Sequence, residues 1–220
     1  MEPITITPAG NIKQQIVNEF KKKLTGDLLL PGDQGYEETR KVWNGMIDRQ
    51  PALIVRCKNS EDVTHAVNFA REHNLLLSVR GGGHNITGNA VCDGGIMVDL
   101  SLMKSIKVDP VQQIADVETG ATWGDFDAAS QIHGLATTGG VISTTGVAGL
   151  TLGGGVGWLV RKHGLSCDNL LAADVVTAAG NLLRASAKEN QELFWGIRGG
   201  GGNFGIVTSM KFRLHKVNTV

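Results

Sequence analysis

The chain has 220 residues, 41% of them apolar and 19% charged, with 21 basic side chains against 21 acidic ones. That is the composition of a folded chain with a sizeable core, and it excludes disordered and fibrous classes. A net charge of zero supplies neither the basic face that nucleic acid needs nor a polybasic patch for an acidic membrane, so neither partner is expected.

In chain order, Asn11 to Leu24 carries Ile12, Ile16, Val17, Phe20 and Leu24 on one stripe with lysines opposite, the pattern of an amphipathic helix. Pro31 to Arg49 has no clear period, with Tyr36 and Trp43 as aromatic anchors. Ala52 to Arg56 reads as a buried strand. Ser60, followed by Glu61 and Asp62, reads as the N-cap of a helix running to about Asn74. Leu75 to Arg80 is a second strand, so residues 52–80 form a βαβ unit. Ile96 to Leu100, Ser105 to Asp109 and Ile114 to Thr119 are short and closely spaced, which predicts an antiparallel ladder. A helix capped by Thr122 runs to His133. Strands follow at Asp174–Thr177 and Leu182–Ala185, then a helix at Gln191–Ile197 and a strand at Phe204–Leu214. The reading is an α+β chain of two lobes: a small parallel one over residues 1–100 and a larger, mainly antiparallel one over 101–217.

Met1 to Thr5 shows no basic stretch leading into an apolar core, and no apolar run approaches the roughly 18 residues of a membrane span. The three cysteines, Cys57, Cys92 and Cys167, show no metal or disulfide spacing. A cytoplasmic protein without a metal is therefore expected.

Glycine is the anomaly. Thirty glycines are about double the usual share of roughly 7%. They cluster at 81–83, 139–140, 153–157 and 199–205, each beside an apolar segment. Gly200 to Gly205 matches the letters GxGxxG, but a helix precedes it and a strand follows, the reverse of a dinucleotide-binding turn. No Gly-Lys pair is present, which removes a P-loop. Successive glycine N–H groups can instead form a concave nest for a diphosphate; tight turns between strands are the other reading. His84, directly after Gly81-Gly82-Gly83, is on local chemistry either a polar loop residue or a nucleophile beside that nest.

The run Arg80-Gly81-Gly82-Gly83-His84-Asn85 with Gly88, then Gly94 to Ser101, resembles the flavin-binding domain of the berberine-bridge-enzyme-like oxidases, of the vanillyl-alcohol-oxidase (PCMH-type) fold. Val42 to Gly45, Gly153 to Gly157, Gly164 to Asn169 and Glu192 to Trp195 running into Gly202 to Val207 agree in order, over about residues 30 to 217. The resemblance implies FAD held by Arg80, Gly81, Gly82, Gly83, His84, Asn85 and Gly88. It implies further contacts from Gly139, Gly140, Val141, Thr144, Thr145, Gly146, Ala148 and Gly149, and from Gly202, Ile206 and Val207. His84 would be joined to the flavin 8α-methyl. Ile142 stands where many members carry a second, cysteinyl linkage, so one bond is expected. Leu150 replaces the usual histidine, Thr145 replaces a usual apolar residue, and Cys167 reads as a small buried residue.

The implied activity is hydride transfer from a small alcohol, sugar or amine to flavin, with dioxygen as acceptor. No catalytic base stands out, since the only tyrosine, Tyr36, lies in the N-terminal lobe where packing suits it. Family members continue into a substrate domain where this chain stops, at Lys216 to Val220. The alternatives are therefore a flavin-binding module or fragment that needs a missing domain or a partner subunit, and, more distantly, a nicotinamide-dependent dehydrogenase.

Overall fold

The computed structural model describes residues 12–217. Asn11, the first residue of the expected N-terminal helix, lies outside that range, as do Met1 to Thr5 and the last three residues. The first helix, α1 (Gln14–Lys23), turns Val17 and Phe20 inward and ends on Lys21, Lys22 and Lys23, cations that suit the negative end of a helix dipole. Strand β1 (Asp27–Leu29) pairs antiparallel with β2 (Leu53–Arg56), and a single-turn helix α2 (Tyr36–Thr39) lies between them.

The next helix, α3 (Ser60–Glu72), is capped by Asn59 and not by Ser60: the extended Asn59 backbone lets its side-chain oxygen accept from the Asp62 N–H at 2.9 Å. Ser60 is thereby the first helical residue. The Asp62 carboxylate, itself buried, accepts from the N–H groups of Thr25, Gly26 and Lys58, which ties the start of β1 to the helix.

Strand β3 (Leu77–Arg80) runs parallel to β2, as the βαβ pattern requires. The two are not neighbours, because β4 (Ile96–Asp99) inserts between them and pairs in parallel with both. The sheet order is β1-β2-β4-β3. The expectation that Ile96–Leu100 opens an antiparallel ladder is thus corrected. All four residues of β4 are buried, which is the signature of a central parallel strand covered on both faces.

The antiparallel sheet begins one strand later, with β5 (Ile106–Asp109) and β6 (Ile114–Glu118). Helix α4 (Trp123–Gln131) follows, closed by a capping box in which Thr122 and Asp125 exchange hydrogen bonds. Then come β7 (Leu135–Ala136), α5 (Val147–Leu152), α6 (Val160–His163) and a 3₁₀ turn at Cys167–Asn169. Strands β8 (Leu170–Val176) and β9 (Leu182–Ser186), helix α7 (Gln191–Ile197), a 3₁₀ turn at Gly201–Phe204, β10 (Ile206–Arg213) and β11 (His215–Lys216) complete the order. The second sheet runs β5-β6-β10-β8-β9, all antiparallel, and β11 pairs with β7. Phe204, expected at the head of the last strand, sits in the 3₁₀ turn instead.

Two main cores result. The first gathers α1, β1 to β4 and α3; the second lies around Trp123, Phe126 and Phe212, whose rings pack on one another. Helix α3 contacts β4 on one side and β8 and β10 on the other, so it is shared by both sheets. At the start of β10 the alternation of a strand sends Ile206 into the first core and Val207 into the second.

Candidate functional site

The loop that leaves β3 is set by an ion pair beneath it. Asp99, fully buried, lies in register with Arg56 on one neighbouring strand and Arg80 on the other. Arg80 donates from Nε to Asp99 at 3.0 Å and reaches the carbonyls of Thr39 and Lys41; Arg56 Nε is 3.5 Å from the other carboxylate oxygen. Ser101 donates to Asp99 from both its N–H and its hydroxyl. The Arg80 side chain is therefore committed to fixing the strand ends and the 39–41 segment, and reaches no open surface of the loop.

Above this pair the backbone approaches other backbone very closely. A Cβ on Gly82 would lie 2.3 Å from the Gly146 nitrogen and 2.5 Å from its Cα, and one on Gly146 would lie 2.5 Å from the Gly82 nitrogen. Two glycines far apart in sequence thus lie main chain on main chain. A Cβ on Gly81 would stand 2.9 Å from the Thr119 carbonyl, while the Thr119 hydroxyl donates to the Val207 carbonyl at 2.7 Å. Through Thr119 and Gly146, the structure brings together the 80–88 loop, the 142–146 loop and the start of β10.

Gly83 adopts φ 70°, a left-handed backbone that glycine takes without strain, and its carbonyl accepts from the Trp43 N–H at 3.0 Å. The Asn85 side-chain oxygen accepts from the Thr87 hydroxyl and the Asn89 N–H, so Asn85 closes its own loop. Among the described residues, no protein group accepts from the main-chain N–H groups of residues 82–87. A row of unengaged amides on a loop that glycine keeps bare is what a diphosphate requires, so these residues fit the pyrophosphate of a dinucleotide.

His84 stands at the centre of that row, half-buried. The Trp43 indole stacks on its ring, centroids 5.4 Å apart and planes 22° from parallel. Its Nδ1 lies 3.4 Å from the Thr145 hydroxyl. Burial pushes the imidazole pKa below its ordinary value, opposed in part by the Thr144 carbonyl. Near neutral pH the ring is uncharged, with one nitrogen lone pair available for bonding.

The other expected cofactor residues separate into two groups. Val141 and Ile142 are about half exposed on the loop before Thr144 and Thr145, and Gly149 and Gly202 are open, with nothing within 4 Å of a Cβ. Gly139 and Gly140 instead make room for the buried Trp123 ring, which a Cβ would approach to 2.4 and 3.0 Å respectively. Gly88 packs against Ile47. The side chains of Ala148, Ile206 and Val207 are buried with the cores, leaving only their main chains for a ligand. Tyr36 is buried and donates to the Pro51 carbonyl at 2.6 Å, a packing role. Cys167 is buried.

Residue chemistry alone did not single out Asp99 or Thr119. The arginines at the ends of two parallel strands, with an aspartate at the end of the buried strand between them, were the available signal for the first. Trp43 was marked only as an aromatic anchor, and nothing in the sequence pointed to its stack on His84.

The FAD binding domain family matches residues 51–186, which decides the membership. The chain belongs to the FAD binding domain family. An FAD-linked oxidoreductase of Dictyostelium discoideum is 42% identical over 94% of this chain, which covers 45% of that protein. The crystal structure of 6-hydroxy-D-nicotine oxidase from Arthrobacter nicotinovorans superposes with a TM-score of 0.86 at 41% identity, over 88% of this chain and 43% of that one. Physcomitrella patens BBE-like 1 does so with a TM-score of 0.85 at 30% identity, over 91% and 44%. The α+β fold is that of the PCMH-type flavoproteins, and this FAD binding domain spans less than half the length of the relatives it matches.

Proposed function

We propose that this chain is the flavin-holding part of an FAD-dependent oxidoreductase and that the cofactor is joined through its 8α-methyl carbon to His84. The observation that carries the reading is the row of unengaged amides at residues 82–87, with an uncharged, stacked imidazole among them. Residues 1–100 and 101–217 act as two lobes, meeting at the Gly82–Gly146 contact, and the exposed 141–145 loop, Gly149 and Gly202 complete the surface offered to FAD. The linkage is single, because Ile142 offers no thiol.

When bound, FAD supplies the acceptor for hydride from a carbon of a small alcohol, sugar or amine, with dioxygen taking up the electrons. A nicotine-oxidising relative of matching fold favours the amine class. The protein residues bind and orient: the amides of 82–87 face the diphosphate, Trp43 covers one face of His84, and Thr145 meets its edge.

The test is acid denaturation of purified protein. Yellow fluorescence should stay with the polypeptide and map to the His84 peptide, and His84→Ala should release any flavin it binds. Covalent flavin retained by His84→Ala sinks the assignment.

A second reading is favoured by the chain's share of its relatives' length: a flavin-binding module without turnover of its own, completed by a further domain or a partner subunit. Stopped-flow bleaching of the flavin by a small alcohol, sugar or amine supports an enzyme. Reduction only by a partner protein supports the module.

A further inference from the structure

The segment between α2 and β2 is tied at several points to the loop that leaves β3. Arg80 reaches the Thr39 and Lys41 carbonyls, the Trp43 N–H donates to the Gly83 carbonyl at 3.0 Å, and Arg49 donates to the carbonyls of Gly88 and Val91. Between these ties, the half-buried Asn44 spans both segments with one carboxamide. Its Nδ2 donates to the Ile86 carbonyl at 2.9 Å, and its Oδ1 accepts from the Met46 N–H at 3.1 Å. A carbonyl only accepts and an N–H only donates, so these two partners fix which way the carboxamide faces.

Each tie also sets the direction of an amide. In a trans peptide the carbonyl of one residue and the N–H of the next point opposite ways in one plane, and the described residues contain no cis bond. Trp43 holds the Gly83 carbonyl, so the His84 N–H points away from the 43–44 segment. Asn44 holds the Ile86 carbonyl, so the Thr87 N–H does the same. Among the described residues, no other group donates to the Ile86 carbonyl, and the Ile86 side chain is exposed. Packing therefore does not hold this peptide, and Asn44 does.

We propose that Asn44 is a positioning residue for the diphosphate of the cofactor: it holds the Ile86 carbonyl back and leaves the amides of residues 84–87 turned toward the phosphates. This rests on the reading of the 82–87 loop given above. Without the carboxamide, the peptide between Ile86 and Thr87 is free to rotate. Half a turn then brings a carbonyl oxygen to the side where an N–H stood, and an oxygen repels a phosphate that an N–H attracts.

The experiment uses the 220-residue chain with His84→Ala as the reference, which keeps flavin binding reversible, and adds Asn44→Ala or Asn44→Ser to it. Calorimetric titration reads the affinity for FAD and for riboflavin, which has no phosphate. The reference should prefer FAD. Asn44→Ala should lose about tenfold of that preference, the worth of one well-placed hydrogen bond, with riboflavin affinity unchanged. A serine hydroxyl still accepts from the Met46 N–H but is too short to reach Ile86, so Asn44→Ser should match Asn44→Ala. In ¹⁵N-labelled reference protein, the amide resonances at positions 84 and 87 should shift with FAD and not with riboflavin, and the shift at 87 should vanish in Asn44→Ala.

A full preference for FAD in Asn44→Ala or in Asn44→Ser, or an equal fall in FAD and riboflavin affinity, overturns the role of Asn44 while leaving the loop as the diphosphate site. A reference that shows no preference for FAD, or whose amides at 84 and 87 do not respond to it, overturns the diphosphate reading itself and the role of Asn44 with it.

Discussion

The contact of Gly82 with Gly146 can be tested by one methyl group. In Gly82→Ala the new Cβ would lie 2.3 Å from the Gly146 nitrogen and 2.5 Å from its Cα. Unstrained contacts need about 3.5 Å, so the two main chains must part by about 1 Å. Neither side is a flexible side-chain tip that could swing aside. Overpacking costs about 1–3 kcal/mol, and with backbone on both sides the upper end is expected, about 3 kcal/mol. Gly149→Ala is the internal control. Gly149 lies in α5 with nothing within 4 Å of its Cβ, so alanine should stabilise by about 0.5–1 kcal/mol through helix propensity alone. Urea denaturation reads both: with a slope of about 3 kcal/mol per molar, the midpoint should fall by about 1 M in Gly82→Ala and rise slightly in Gly149→Ala. The first variant should also attach flavin poorly, because the two loops move apart. A wild-type midpoint and full flavin content in Gly82→Ala would refute the idea that this backbone contact sets the site.

Asp99→Asn should lower stability by about 3–5 kcal/mol, since it leaves Arg56 and Arg80 beside a buried neutral group; a midpoint within 0.3 M of wild type, on the order of the ~1 kcal/mol of a surface pair, would contradict it. The His84, His163 and His215 pKa values are all lowered chiefly by burial, so the unfolded chain takes up protons first as pH falls below about 6.5. Stability should be complete above that pH and decline from there toward pH 5. His163 and His215 stack at 3.7 Å, so His215→Gln should flatten the decline, and an unchanged slope would argue against the pair as its source.

Much of the element order was legible because local patterns and tertiary packing agree. The stripe of Val17 and Phe20, the Thr122–Asp125 box and the strand pairs flanking short turns all behave in the fold as their spacing dictates. The misreadings come from places where two local patterns compete. Ser60 and Asn59 are both good caps, and the extended backbone at Asn59 decides between them. Close spacing assigned β4 to the wrong sheet, although its unbroken apolar run already carried the signature of a parallel strand buried on both faces.

Glycine shows most clearly why a site is harder to read than a fold. The same residue serves three different ends here: main-chain amides left unengaged at Gly82 and Gly83, main chain pressed on main chain at Gly82 and Gly146, and space for the Trp123 ring at Gly139 and Gly140. Composition cannot separate them, since all three ask only for the absence of a Cβ. What separates them is the partner, and the partner is always distant in sequence. Gly82 performs two of these ends at once, its amide unengaged on one side and its Cα closed against Gly146 on the other. That double demand explains why the histidine follows the glycines: the contact that removes the loop's freedom is also what carries His84 to Thr145.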